Sequence, residues 1–235
     1  IHFGEFNINN KVTIIDFLDV ITKPSNIFHK ITIIEGWSQK DLDNELSKYF
    51  KETYSIPYED ILANTYFIKK NEKFDNFVKK LKKIKNQYLG RYKKNKLNKQ
   101  YNHNEIMIIG SLIEKEGLDI SDKRKISSVI FNRLNQNMKL QIDATVLFAI
   151  TNGQYNLNRK LLTKDLKFNH PYNTYIYNGL PPKPISYVGN KTIDLIFENN
   201  KTEFLFYFFN YSLNRHIFSK TYSDHKKKLY EYRSN

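Results

Sequence analysis

The chain has 235 residues, 40% of them hydrophobic and 15% aromatic, which suits a folded protein with a sizeable core rather than a disordered one. Its net charge of +14 fits an anionic partner, or only a lysine- and asparagine-rich composition. The absence of cysteine excludes disulfides, thiolate chemistry and cysteine-based zinc sites, and the longest apolar run, Phe204 to Phe209, is far too short to span a bilayer. No signal peptide is visible, and the chain begins at Ile1 without methionine, as a fragment lacking an upstream anchor would. In chain order, Phe3 to Ile8 reads as a strand. Thr13 with Asp16 forms a capping pair for a helix through Ile21. Phe28 to Ile34 reads as a second strand. Glu35-Gly36-Trp37 turns the chain, and Ser38 with Asp41 caps a helix through about Tyr49. No glycine-rich phosphate loop is present.

Residues 66 to 99 are dominated by lysine. Phe74, Phe77, Val78, Leu81 and Ile84 keep helical spacing within that run, which predicts an amphipathic helix with a solvated basic face and then a polar linker over 94–104. Nucleic acid is not the expected partner, because the lysines lack an aromatic stacking platform.

The stretch Ser111-Leu112-Ile113-Glu114-Lys115-Glu116-Gly117 ends an apolar segment that Asn104 can cap and Gly117 can stop. Ile109, Leu112, Ile113 and Glu116 fall at i, i+3, i+4 and i+7, one helical face, whereas Glu114 points elsewhere. Glu116 is thus expected among aliphatic neighbours, near the negative end of the helix dipole. Both effects favour its protonated form, as a general acid near neutral pH requires. On this stretch alone, a solvated surface glutamate is the more ordinary reading.

A helix over 122–134 follows, with Ile126, Val129, Ile130, Phe131 and Leu134 facing the core. The segment Leu140 to Val146 then enters a short helix to Ile150. His170 to Tyr175 is a loop, and Gly179 to Ile185, with three prolines, is rigid and extended. Phe204 to Asn210 and His216 to Phe218 read as strands. Gln141 and Asp143 can hydrogen-bond hydroxyls or acetamides, although Asp143 reads equally as an N-cap. Tyr172, Asn173, Thr174 and Tyr175 offer hydroxyls, an amide and flat rings for sugar faces, or form an ordinary asparagine turn with core tyrosines. Glu114 and Arg133 can pair to brace a groove, or be solvated. His216 reads as a satisfied structural histidine, and the scattered histidines lack metal-ligand spacing.

Six of these segments, SLIEKEG (111–117), ISSVIFNRL (126–134), MKLQIDATV (138–146), PYNTY (171–175), GLPPKPI (179–185) and HIF (216–218), together resemble the YceG-like endolytic murein transglycosylases. ITIIEGWS (31–38) looks like that family's LysM-like subdomain, and Asn64-Thr65-Tyr66 like part of its linking motif. Ala144 stands where the family usually has proline, and Lys183 where it has glycine. The resemblance implies an α+β fold with a LysM-like α/β subdomain over 1–58, a basic linking helix and linker over 59–103, and a mixed helical and short-strand catalytic domain over 104–235 with a transglycosylase-like active-site helix. It implies cleavage of peptidoglycan between MurNAc and GlcNAc within the strand, leaving 1,6-anhydro-MurNAc ends, with Glu116 as acid and then base and no cofactor or metal. Substrate would be bound by Gln141, Asp143, Thr145 and the 172–175 loop, with Glu114 and Arg133 in support. It also implies a place on the cytoplasmic membrane facing the periplasm, through an anchor outside this chain, with cell-wall synthases as further partners. The readings to set against it are a hydrolase that uses Asp143 to activate water and a wall-binding module without catalysis.

Overall fold

The fold is described by a computed structural model over residues 4–8, 11–25 and 27–233. Helices and short strands alternate, giving an α+β architecture. The N-terminal unit contains α1 (Ile14–Ile21), β1 (His29–Thr32), α2 (Gln39–Leu46), β2 (Leu62–Ala63), β3 (Thr65–Ile68) and α3 (Phe74–Gly90). Both anticipated capping boxes form, at Thr13 with Asp16 and at Ser38 with Asp41. The expected strand over 3–8 does not: residues 4–8 carry no strand pairing, and Phe3 lies outside the described residues. Helix α2 also stops at Leu46, before Tyr49.

β1 pairs antiparallel with β3, Ile31 opposite Tyr66. Ile31, Ile33, Leu42 and Leu46 share one core with Tyr66, Phe74, Phe77, Val78 and Leu81. The boundary expected at residue 58 is therefore no break in packing. β3 and the apolar stripe of α3 are the other half of the core that β1 and α2 begin. The lysines of α3 at 79, 80, 82 and 83 stay exposed, as its amphipathic spacing requires.

The second core is built on α4 (His103–Glu116), α5 (Ile120–Asn135), α6 (Asp143–Thr151) and α7 (Asn190–Glu198). The cap of α4 lies two residues before the expected Asn104. Asn102 accepts the amide protons of Asn104 and Glu105, and Glu105 returns a bond to the Asn102 amide. α5 likewise starts earlier than expected, capped by Asp119. α6 and α7 both end on asparagines in the left-handed region, Asn152 at φ 50° and Asn199 at φ 48°, where a short polar side chain is tolerated. The two units interlock at β4 (Val188–Gly189), which runs parallel to β2. Tyr187, just before β4, is fully buried in the N-terminal core and donates its hydroxyl to the Ile56 carbonyl.

Two glycines permit these close approaches. A Cβ on Gly110 would lie 2.6 Å from Val188 Cγ1, where α4 crosses β4. One on Gly117 would lie 2.3 Å from Lys123 Cγ, where the chain folds back into α5. Gly117 does end the helix, but in extended backbone (φ −84°, ψ 139°) rather than in a left-handed turn. The chain closes with the antiparallel hairpin β5 (Phe206–Asn210) and β6 (Arg215–Ser219), followed by α8 (Tyr222–Arg233) packed on both strands. Among the described residues no helix is long and apolar enough to cross a membrane.

Candidate active site

Ile109, Leu112 and Ile113 are fully buried on one face of α4, and Glu116, the last residue of that helix, continues the face. The residue as a whole is half-buried, with its carboxyl turned inward. Its Oε2 accepts the Tyr207 hydroxyl at 3.0 Å, and the carboxyl also accepts the Ala144 amide proton from the first turn of α6. Burial is the main influence and pushes the Glu116 carboxyl above the ordinary carboxylate range. The Tyr207 bond pulls it down, the Asp143 charge pushes it up, and His216 and the Ala144 amide pull it down. The net result favours a loaded proton donor.

Tyr207 comes from β5 and its ring meets the edge of His216 at 5.4 Å between centroids. His216 Nδ1 lies 2.8 Å from Asp122 Oδ2, and the same oxygen accepts the Leu118 amide proton at 3.1 Å. His216 thus has its partner and acts as a strut between α5 and the hairpin, matching its structural reading. Burial, with the Glu116 charge beside it, pushes the Tyr207 phenol well above its ordinary value, so it stays a donor.

Asp143 is the first residue of α6. The N-cap is Ile142, whose side chain makes no capping bond, so Asp143 is not the cap. Its carboxylate is exposed and accepts the Tyr175 hydroxyl at 2.5 Å. Gln141, beside it, is exposed and held at φ 51°, a strained conformation for this residue type, with its amide bonded to the Thr174 carbonyl at 3.1 Å. The Gln141 and Asp143 side chains are open to a ligand, and the half-buried Tyr175 is tied to Asp143 beside them.

The remaining loop residues are not. Thr145, Asn173 and Thr174 are 0%, 0% and 2% exposed. The Thr145 and Thr174 hydroxyls lie 2.9 Å apart, and Thr145 also donates to the Ile142 carbonyl. The Asn173 amide donates to the Leu166 and Phe168 carbonyls, while its oxygen accepts the Tyr175 amide proton. Every polar atom of this knot is engaged internally, so these residues fix the loop to α6 rather than touch sugar. Tyr172 is half-buried, its ring 4.7 Å from that of Phe148.

Glu114 and Arg133 do not pair. The Glu114 side chain is 1% exposed, forms an ion pair with Lys123 and accepts the Gly189 amide proton at 2.9 Å. Arg133 is buried and donates to the carbonyls of Leu205 (2.7 Å), Leu140 (2.6 Å) and Lys139 (3.2 Å). It joins the end of α5 to the strand that carries Tyr207. Tyr207, Asp122, Lys123 and the Ala144 amide were not legible as site groups. Alternation along β5 sets Tyr207 apart from its neighbours Phe206 and Phe208, but only the hairpin's docking shows which face meets Glu116.

The geometry therefore provides one carboxyl biased toward its protonated form, two donors steadying its charged form, and an open polar rim. One group placed in this way can give and then take a proton.

The profile of the YceG-like family matches residues 1–231. The chain is 33% identical over 195 residues to a protein of Bacillus subtilis (strain 168) called endolytic murein transglycosylase, covering 83% of this chain and 51% of that one. It is 26% identical over 204 residues to one of the same name from Streptococcus pneumoniae serotype 2, covering 86% and 35%. It thus spans about half or less of the curated relatives it matches. The crystal structure of a YceG-like protein from Listeria monocytogenes superposes with a TM-score of 0.70 at 25% identity, covering 84% of this chain and 75% of that one.

Proposed function

Because the chain belongs to the YceG-like family, we propose that it acts outside the cytoplasm on peptidoglycan, cutting within glycan strands between MurNAc and GlcNAc and leaving 1,6-anhydro-MurNAc ends. The observation that carries this reading is the Glu116 carboxyl, pushed toward its neutral form at the end of α4 and met by Tyr207 and the Ala144 amide.

In the reaction, protonated Glu116 donates to the glycosidic oxygen as the bond to the anomeric carbon breaks, and the leaving strand departs as an alcohol. The C6 hydroxyl of the same muramyl ring closes on the anomeric carbon, and the Glu116 carboxylate takes the proton that this hydroxyl releases. No water is consumed, and the enzyme ends in the state in which it began. The Tyr207 hydroxyl and the Ala144 amide donate to the carboxylate while it is charged, the interval in which those bonds are strongest. Gln141, Asp143 and Tyr175 form the rim that receives the sugar.

The test is a digest of purified peptidoglycan with the wild-type chain and with Glu116→Gln, with released glycans weighed by mass spectrometry. Anhydro ends from the wild type alone are expected. Reducing ends would shift the role of water activator to Asp143, the second carboxylate at the rim. Wall binding without products from either protein would leave a binding module.

A further inference from the structure

A cavity of about 250 Å³ opens between the N-terminal unit and α6, against the start of α6 and the end of α4. Ala144, whose amide bonds the Glu116 carboxyl, lines it, and so does Lys115, the residue before Glu116. Its apolar lining comes from Ala144, Leu147, Phe148 and Ile185, and its charged rim from Lys40 and Lys115. Both lysines are exposed, and neither has an ion-pair partner among the described residues. Lys115 gives one long bond, 3.3 Å, to the Gly36 carbonyl and keeps its other donors. The one carboxylate at this rim, Asp41, is already engaged by the Ser38 amide at 2.9 Å and the Ser38 hydroxyl at 2.7 Å. The cavity thus offers apolar contact below and cationic donors above, against the same first turn of α6 that meets the Glu116 carboxyl.

In an intact strand the lactyl carboxyl of each muramyl residue is taken up in the amide to its peptide, so the sugar chain itself offers no negative group to meet two ammonium groups. The peptide branch on each muramyl residue does: it begins with a small apolar side chain and continues with carboxylates. We infer that this cavity is a subsite for the carboxylate-bearing peptide branch of the muramyl residue, with Lys40 and Lys115 pairing its carboxylates and the Leu147–Phe148–Ile185 surface receiving its first side chain. This rests on the peptidoglycan reading above and adds to it that the site reads the branch as well as the sugar. Such pairs are strongest where water is partly excluded, as beside the apolar wall here, and weaken with salt where exposed.

The direct test is fluorescence anisotropy with a labelled muramyl tripeptide and with labelled MurNAc whose lactyl carboxyl is capped as a simple amide in place of the peptide. The proteins are the wild-type chain and the Lys40→Ala/Lys115→Ala variant, with circular dichroism confirming that both are folded. The variant is expected to bind the tripeptide about tenfold more weakly, as loss of charge-assisted bonds implies. It should bind the peptide-free sugar as the wild type does, and a tripeptide with amidated carboxylates should lose the same affinity in the wild type. Equal binding of the tripeptide by wild type and variant, or equal binding of tripeptide and bare sugar by the wild type, would overturn the assignment. Cleavage of stem-bearing and stem-stripped strands, run in parallel, keeps the two ideas separate. If the wild type cleaves neither, the catalytic reading fails, while the anisotropy result still decides the subsite.

Discussion

Replacing Tyr207 by phenylalanine removes one atom from the site and leaves the packing in place. The ring keeps its edge contact with His216 and its neighbour Phe218 at 5.8 Å, so the hairpin has no reason to move. What is lost is the 3.0 Å bond from the phenol to Glu116 Oε2. A hydrogen bond to a charged acceptor contributes about 1.5–3 kcal/mol, and this one is stronger to the carboxylate than to the neutral acid. It therefore stabilises the moment at which Glu116 has given up its proton. At 1.36 kcal/mol per factor of ten, its loss lowers kcat about 10- to 100-fold. The pH profile should move as well. Tyr207 holds the Glu116 carboxyl down against the upward push of burial, so without it the carboxyl rises further. The acid then stays protonated to higher pH, and the alkaline limb of kcat shifts upward. The assay is release of anhydro-ended muropeptides, followed by chromatography and mass spectrometry from acidic to alkaline pH. A kcat within about twofold of wild type, or an alkaline limb that stays put or moves down, would refute this role for Tyr207.

The Asp143→Asn variant should move the same limb the opposite way, because the Asp143 charge raises the Glu116 carboxyl and its removal lets it fall. Its products should remain anhydro-ended in a mass-spectrometric digest, and their disappearance would transfer a chemical step to Asp143. Glu114→Ala strands the Lys123 ammonium in a nearly buried pair, which costs about 3 kcal/mol, the low end of the range because Lys123 retains some access to water. For a chain of this size that is a drop in Tm of about 6–12 °C by calorimetry. Gly110→Ala places a methyl 2.6 Å from Val188 Cγ1. Despite the better helix propensity of alanine, it should destabilise by about 1–3 kcal/mol in a denaturant titration.

The helix α4 and the placing of Glu116 on its buried face were legible because both are local. The apolar residues at 109, 112 and 113 set the buried face, and Glu116 falls on it by helical spacing alone. The capping boxes at Thr13 and Ser38, the amphipathic stripe of α3 and the two strands of the final hairpin are likewise short-range patterns. The start of α4 was misplaced by two residues because Asn102 and Asn104 are equally good caps in isolation, and Glu105, three residues after Asn102, decides between them. The reading of Asn173, Thr174 and Thr145 as sugar ligands failed for a different reason. A polar side chain in a loop serves a ligand or the loop itself, and residue type does not distinguish the two.

Sequence by itself determined where α1 to α6 lie to within a few residues, which face of α4 is buried, and that Glu116 lies on that face, since each depends on neighbours within a turn or two, whereas α7 and α8 were not read from it. Tertiary structure alone decided what meets that carboxyl. Tyr207 lies 91 residues further along the chain, and it reaches Glu116 because Arg133 and the Asp122–His216 pair hold the hairpin against α5. Tertiary structure also decided that Glu114 pairs with Lys123 rather than Arg133, and that the loop polar groups turn inward. Hydrogen-bond partners so far apart in the chain are chosen by which surfaces pack together, and periodicity within any one element carries no record of that choice.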